Sequence, residues 1–146
     1  MEISIAEAGY IAGLFDGEGC VTYKRQMKKR GDKKAYPTWD IRMEINMTDK
    51  PIIQWVHETL GVGTFGEKPP HKGQLGRKMQ YRWRCGFRDA LYVAKLIWPH
   101  VQVKLHKIEQ IIDHYEPMAQ DLAANVVDLA EERKSRIATN PWNNLL

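Results

Sequence analysis

Three segments of the chain alternate strictly between apolar and polar residues. In residues 38–47 every second residue is large and apolar, from Trp39 to Met47, and residues 21–28 and 80–87 repeat this period. A period of two places successive side chains on opposite faces of a strand, so each segment predicts a strand with one buried face. The polar positions, predicted to face outward, are Thr22, Lys24, Gln26, Lys28, Thr38, Asp40, Arg42, Glu44, Asn46, Gln80, Arg82 and Arg84.

Segments with helical periodicity separate these strands. Apolar residues recur at helical spacing in residues 10–18, 51–60, 89–98 and 105–115, and residues 62–65 form a weaker fourth strand entered through glycines. The resulting order, αββαββα, predicts an α+β fold with an antiparallel sheet. All helices can then cover one face of the sheet, which leaves the other face open.

Length and composition indicate a single domain. The chain has 146 residues, of which 43% are hydrophobic, enough to bury one core. We predict a core over residues 1–117, followed at 118–146 by a helical extension and tail of the same domain. No signal peptide or membrane-spanning run is visible, so we expect a protein of the cytoplasm or an organelle that is not secreted and has no membrane partner. Cys20 and Cys85 are interpreted as packing residues.

The first helix carries a side built of small residues. At helical spacing Gly9, Ala12, Gly13 and Asp16 fall together, away from the bulky apolar residues. Small residues allow a second helix to approach closely. We therefore predict that this side contacts a second copy of the chain.

Two carboxylates lie at the end of the same helix, at Asp16 and Glu18. A helix C-terminus carries partial negative charge, so carboxylates there are unfavourable unless a cation offsets them. The simpler interpretation is a core helix whose carboxylates are solvated in a turn. If two copies meet, however, two Glu18 side chains come together and favour a divalent metal.

Residues 11–19 resemble the signature of the LAGLIDADG homing endonucleases, with Glu18 at the acidic position. The motif occurs once, which is typical of the homodimeric members. The resemblance implies the αββαββα fold with a saddle-shaped sheet. It also implies that Glu18 and the carbonyl of Gly17 bind Mg²⁺ or Mn²⁺, for which oxygen ligands are suited.

The same resemblance implies two further kinds of catalytic residue. A basic residue near the scissile phosphate follows a proline-bounded helix, and Lys104 matches that position. A water-positioning polar residue is expected at the end of the second strand, where Asp49 is the first choice and Asn46 the second. Lys104 as a solvated charge at the start of a helix is the alternative.

The basic residues are unevenly distributed. Residues 24–34 and 67–88 together contain fourteen basic and two acidic residues, which leaves eight basic and sixteen acidic residues elsewhere. Two cationic patches on an acidic body favour a polyanion partner, and polar outward side chains favour double-stranded DNA. The polar outward residues of the strands are predicted to read base edges, and Lys68 is also predicted to bind DNA. Residues predicted to contact phosphates from the hairpin tips are Arg30, Lys33, Lys34, Lys72, Arg77 and Lys78.

These patterns and the resemblance together predict a homodimeric, metal-dependent endonuclease that makes a double-strand break in a long pseudo-palindromic DNA target. An association with an intron or intein is expected from the resemblance. Three alternatives remain open: a maturase that binds intron RNA, a DNA-binding regulator without catalysis, and a protein-interaction module.

Overall fold

The computed structural model describes residues 2–73 and 76–116. Helices and strands alternate as the sequence predicts, with the third and fourth helices following one another at the end. In chain order the elements are α1 (Ile5–Glu18), β1 (Gly19–Lys28), β2 (Tyr36–Met47), α2 (Lys50–Leu60), β3 (Thr64–Lys68), β4 (Gln80–Gly86), α3 (Arg88–Ile97) and α4 (Leu105–Tyr115). The α+β prediction and its element order are confirmed.

The four strands form one antiparallel sheet in the order β1-β2-β4-β3. The register aligns the apolar positions of each strand mainly with the apolar positions of its neighbours. Met43 pairs with Val21 and Cys85, whereas the next residue, Glu44, pairs with Cys20. Because most pairings join residues of like character, one face of the sheet is largely apolar and the other is polar. Arg25 opposite Trp39 and Glu67 opposite Tyr81 are exceptions on the apolar face.

The apolar face packs against the helices to form the core. The side chains of Met43, Ile45 and Trp83 are fully buried there, together with Ile11 and Phe15 of α1. The indole N–H of Trp83 donates to the carbonyl of Val62, which satisfies the polar atom of the largest buried side chain. The predicted separation into a covered and an open face is therefore confirmed.

The junction between α1 and β1 contains no loop. Ser4 and Glu7 form a reciprocal capping box that starts α1. The Ser4 hydroxyl accepts the N–H of Glu7, and the Glu7 carboxylate accepts the N–H of Ser4. The helix ends at Glu18, and Gly19 is already the first strand residue. A Cβ atom at Gly19 would overlap the ring of Phe15. Glycine at this position thus lets the chain pass directly from helix to strand.

Several local predictions need correction. The strand predicted at residues 62–65 is β3, which begins at Thr64 rather than at residue 62. Gly61 and Gly63 adopt left-handed conformations, so α2 ends there and strand pairing starts later. Cys85 is buried as predicted, but Cys20 is exposed because it lies on the polar face. Trp39 is on the apolar side, yet it is 36% exposed, although its ring stacks on Tyr23 and packs edge-on against His114 of α4.

The predicted helical extension and tail at 118–146, and with them the division of the chain at 117/118, lie outside the described residues. Among the described residues, no helix is long and apolar enough to cross a membrane.

Candidate nucleic-acid interface and cleavage site

The polar face of the sheet, here called the open face, carries the predicted base-reading residues side by side. Across β1 and β2, Lys24 lies opposite Asp40 and Thr22 lies opposite Arg42. The register gives the open face these residues: Cys20, Thr22, Lys24, Gln26, Lys28, Tyr36, Thr38, Asp40, Arg42, Glu44, Asn46, Thr64, Gly66, Lys68, Gln80, Arg82, Arg84 and Gly86. Every outward position predicted from the alternation is among them.

The open face is predominantly cationic. Its charged side chains are six cations, Lys24, Lys28, Arg42, Lys68, Arg82 and Arg84, and two carboxylates, Asp40 and Glu44. Both hairpin loops add exposed cations at its ends, namely Arg30, Lys33, Lys34, Lys72, Arg77 and Lys78. Apart from Arg25 on the apolar face and Arg88 in α3, the two cationic patches of the sequence therefore lie on one face of the sheet and on its connecting loops.

Asp16 connects the end of α1 to the segment that precedes α4. Its carboxylate accepts the backbone N–H of Gln102 at 2.7 Å and that of Lys104 at 3.0 Å. Glu18 is two residues further along α1 and is exposed. The structure therefore brings the predicted catalytic lysine to the helix end that carries the predicted metal ligand, across more than eighty residues of sequence.

The two candidate water-positioning residues have different surroundings. Asp49 caps α2, where its carboxylate accepts the N–H of Ile52 at 3.1 Å. Asn46 lies on the open face, one residue beyond Ile45, which pairs with Gly19. The Nδ2 of Asn46 donates to Glu44 at 3.2 Å, and its buried Oδ1 has no hydrogen-bond partner in the described part of the chain.

The outer surface of α1 differs from its prediction at one residue. Ala12 is fully buried in the core of its own chain, so its assignment to a surface for a second copy is wrong. Gly13 is exposed as predicted, and a Cβ atom there would meet nothing within 4 Å. Gly9 is half-buried. The carboxylate of Asp16 accepts hydrogen bonds from Gln102 and Lys104 of its own chain.

The exposed residues of α1 at helical spacing are Ala6, Tyr10, Gly13 and Gly17, and we call them the α1 stripe. Sequence reasoning missed Tyr10, which is 55% exposed and packs edge-on against Trp55 of α2 with ring centroids 5.4 Å apart. Its spacing of three from Gly13 was the available signal.

Oxygen donors for a metal ion are present at the end of α1. Glu18 contributes an exposed carboxylate, and the carbonyl of Gly17 belongs to the last helical turn, whose carbonyls have no partner within the helix. Within the described residues, no group of three or more His, Cys, Asp or Glu side chains could bind a metal ion. One carboxylate per chain is compatible with Mg²⁺, which commonly takes one or two carboxylates together with substrate phosphates and water.

No family model matches the sequence. Solved structures of similar fold include the homing endonuclease I-CvuI in complex with a DNA target, with a TM-score of 0.59 and 15% identity over 91% of this chain and 80% of that one. The archaeal intron-encoded homing endonuclease I-Vdi141I complexed with DNA gives 0.55 and 16% over 94% and 81%. The LAGLIDADG meganuclease I-AabMI bound to uncleaved DNA gives 0.50 and 21% over 89% and 42%.

Sequence identities this low establish the fold rather than the activity. The matches nevertheless cover nearly all of this chain, including the helix end and the sheet described above. The chain therefore has the fold of the LAGLIDADG homing endonucleases, which confirms structurally the resemblance carried by residues 11–19.

Proposed function

We propose that the protein is a site-specific DNA endonuclease that makes a metal-dependent double-strand break in a long pseudo-palindromic target as a homodimer. The observation that carries this proposal is the open face, which has six cations against two carboxylates and lies beside the Glu18 end of α1. The similar structures of I-CvuI and I-Vdi141I contain DNA, which supports the same class of partner.

The dimensions of the sheet suit duplex DNA. The twelve residues of β2 extend over about 40 Å, and one turn of B-DNA is about 34 Å long. Outward side chains alternate along this length at about 6.6 Å, or about two base pairs. One chain can therefore follow the major groove for about one turn, with loop cations such as Arg30 and Lys33 placed for phosphates.

Cleavage would depend on the end of α1. Glu18 and the carbonyl of Gly17 would hold Mg²⁺ or Mn²⁺, a cation that neutralises charge on the reacting phosphate oxygens when it is bound. Lys104, fixed nearby through Asp16, would add positive charge where the leaving oxygen becomes negative. Asn46 is better placed than Asp49 to orient the attacking water, because Asn46 lies on the open face while the Asp49 carboxylate caps α2.

A homodimer follows from the number of carboxylates. One chain supplies one Glu18, whereas both strands of a duplex must be cut. The α1 stripe is exposed, and Cβ atoms at Gly13 and Gly17 would meet no described atom within 4 Å, which leaves room for a two-fold contact. This chain also aligns with only 42% of the DNA-bound meganuclease I-SmaMI, so two copies would approximate the length of that protein.

The test is a cleavage assay on a library of genomic and randomised duplexes, with the cut ends sequenced, in the presence of Mg²⁺ or of a chelator. We expect the wild type to cut one long pseudo-palindromic site only with metal. Glu18→Gln should bind this site but lose at least about a thousandfold in rate. Glu58→Gln, the same change on the exposed side of α2, serves as the matched control.

Three results would contradict the proposal. Binding to one duplex site without cutting by the wild type would indicate a DNA-binding regulator. Preference for a structured intron RNA over every duplex would indicate a maturase. Equal cleavage by the wild type and Glu18→Gln would remove Glu18 from the reaction. Cleavage of an uninterrupted host locus would in addition support association with an intron or intein.

A further inference from the structure

Asp40 and Arg42 form an ion pair along β2 on the open face. The Nη2 of Arg42 donates to Oδ2 of Asp40 at 3.2 Å. The side chains are 36% exposed for Arg42 and 21% exposed for Asp40. Residues two apart on a strand lie on the same face, so this pair is built into the sequence of one strand and needs no contribution from a neighbour.

The residue opposite Arg42 on β4 has no side chain. The partners of Arg42 in the register are Thr22 on β1 and Gly86 on β4. Gly86 has no side chain, so nothing projects from the open face there. The Nε of Arg42 is buried, and it has no hydrogen-bond partner among the described residues. The guanidinium is thus held at Nη2 by Asp40, while the Arg42 side chain as a whole stays 36% exposed.

A carboxylate at this place opposes general affinity for DNA. Asp40 is one of only two acidic residues on the open face, and it lies in the register opposite Lys24. Negative charge repels phosphates and reduces the counterion release that drives non-specific binding. Its benefit must therefore lie elsewhere, and fixing the plane of a long, mobile arginine side chain is the role that the contact supports.

We propose that Arg42 recognises a guanine in the target and that Asp40 is its positioning residue. This inference rests on the proposed function. Arginine binds the O6 and N7 acceptors of guanine through two parallel N–H groups, which requires a defined guanidinium plane. Donation of one N–H to Asp40 leaves enough of the five guanidinium donors for that contact. Asp40 therefore lowers the general affinity for DNA and raises the preference for guanine at one base pair.

The pair differs from the other cations of the open face. Neither Arg82 nor Arg84 lies two residues from a carboxylate on its own strand, because the alternate positions of β4 are Gln80 and Gly86. The Glu44 carboxylate receives the amide of Asn46 instead of an arginine. Among the open-face arginines Arg42 alone is held by a carboxylate of the same strand, which singles it out as a specificity-determining residue.

The experiment measures binding of purified protein to the cognate duplex, to all single base-pair variants of it, and to random duplex. The variants are Asp40→Asn, Arg42→Ala and the double variant. The matched control is Asp32→Asn, which makes the same charge change at the exposed hairpin turn. Thermal unfolding of each variant confirms that it is folded. We expect both Asp40→Asn and Asp32→Asn to bind random duplex more tightly than the wild type does.

The base preference should separate the two aspartate variants. Asp40→Asn and Arg42→Ala should each lower the preference for guanine about tenfold at the same position, and at its symmetric position in the other half-site. The double variant should lose no more than Arg42→Ala alone. An unchanged preference in Asp40→Asn, matching Asp32→Asn, would overturn the positioning role. Failure of the wild type to bind any duplex would instead overturn the proposed function, and this inference with it.

Discussion

The carboxylate of Asp16 accepts the backbone N–H of Lys104 over 3.0 Å, although 88 positions separate the two residues in sequence. A second bond, from the N–H of Gln102 at 2.7 Å, uses the other oxygen. Two bonds from one carboxylate fix the turn before α4 against the last turn of α1. The position of Lys104 near Glu18 thus depends on a residue that performs no chemistry itself.

Replacing Asp16 with alanine should therefore reduce both stability and cleavage. Hydrogen bonds to a charged group contribute about 2 kcal/mol each when partly buried, and we expect the free energy of unfolding to fall by about 2 kcal/mol, since this site is partly solvated. Urea unfolding measures this change. Asp32→Ala, which removes an exposed carboxylate from the β1–β2 turn, is the control. Equal stability of the two variants would show that Asp16 does not fix the turn.

Phe87 adopts a backbone conformation that normally requires glycine. Its φ is 55° and its ψ is −125°, at the single residue between β4 and α3, and its side chain is 55% exposed. Such a conformation costs an L-residue about 1 to 3 kcal/mol. We therefore expect Phe87→Gly to be at least about 1 kcal/mol more stable than Phe87→Ala, the reverse of the usual order of glycine and alanine.

Chemical denaturation of both Phe87 variants measures this difference. Alanine is the control because it also removes the ring but keeps the steric restriction on φ. If Phe87→Ala is the more stable variant, the turn between β4 and α3 carries no backbone strain.

The two cysteines should differ sharply in reactivity. Burial, and secondarily the charge of Asp89, raise the pKa of the Cys85 thiol to about 12. Cys85 thus stays protonated at pH 8 and is inaccessible, whereas Cys20 is exposed on the open face. Since the thiolate is the reactive form, a disulfide reagent at pH 8 should label one thiol per folded chain and two in denaturant.

Labelling of Cys20→Ser identifies the residue that reacts. This variant should show no rapid labelling when folded and one thiol when unfolded. Rapid modification of folded Cys20→Ser would mean that Cys85 is accessible and that this part of the core opens readily.

The alternation of the sequence predicts the face of nearly every strand residue, because a period of two is a local property of a strand. It does not predict which residues become neighbours. The contact of Asp16 with Lys104 and the opening beside Arg42 at Gly86 both depend on how distant elements pack and pair. The Asp40–Arg42 pair, by contrast, could have been found from two opposite charges two residues apart on one strand.

Small residues on a helix are ambiguous for a physical reason. An alanine allows close approach equally to the core of its own chain and to a second chain, and spacing alone cannot distinguish the two. Ala12 and Gly13 are neighbours in sequence, yet Ala12 is fully buried and Gly13 is exposed. The structure therefore shows that Ala12 packs in the core of its own chain, whereas Gly13 belongs to the exposed α1 stripe.

A substitution at Gly13 can test the proposed dimer without disturbing the fold of the protomer. A Cβ atom there meets nothing within 4 Å among the described residues outside its own helical turn, and glycine is about 1 kcal/mol less favourable than alanine within a helix. Gly13→Leu should therefore leave the protomer folded or slightly more stable. The same side chain would block a close contact with a second copy, so the dimer should dissociate at least tenfold more readily and double-strand cleavage should be lost.

Sedimentation over a range of concentrations, together with thermal unfolding, measures both effects of Gly13→Leu. Lys107→Leu is the control, because it places the same side chain at an exposed position of α4. A wild type that remains monomeric when bound to DNA would exclude the two-fold arrangement. A Gly13→Leu protein that dimerises as the wild type does would show that the contact lies outside the α1 stripe, since a leucine at its centre cannot be accommodated between closely packed helices.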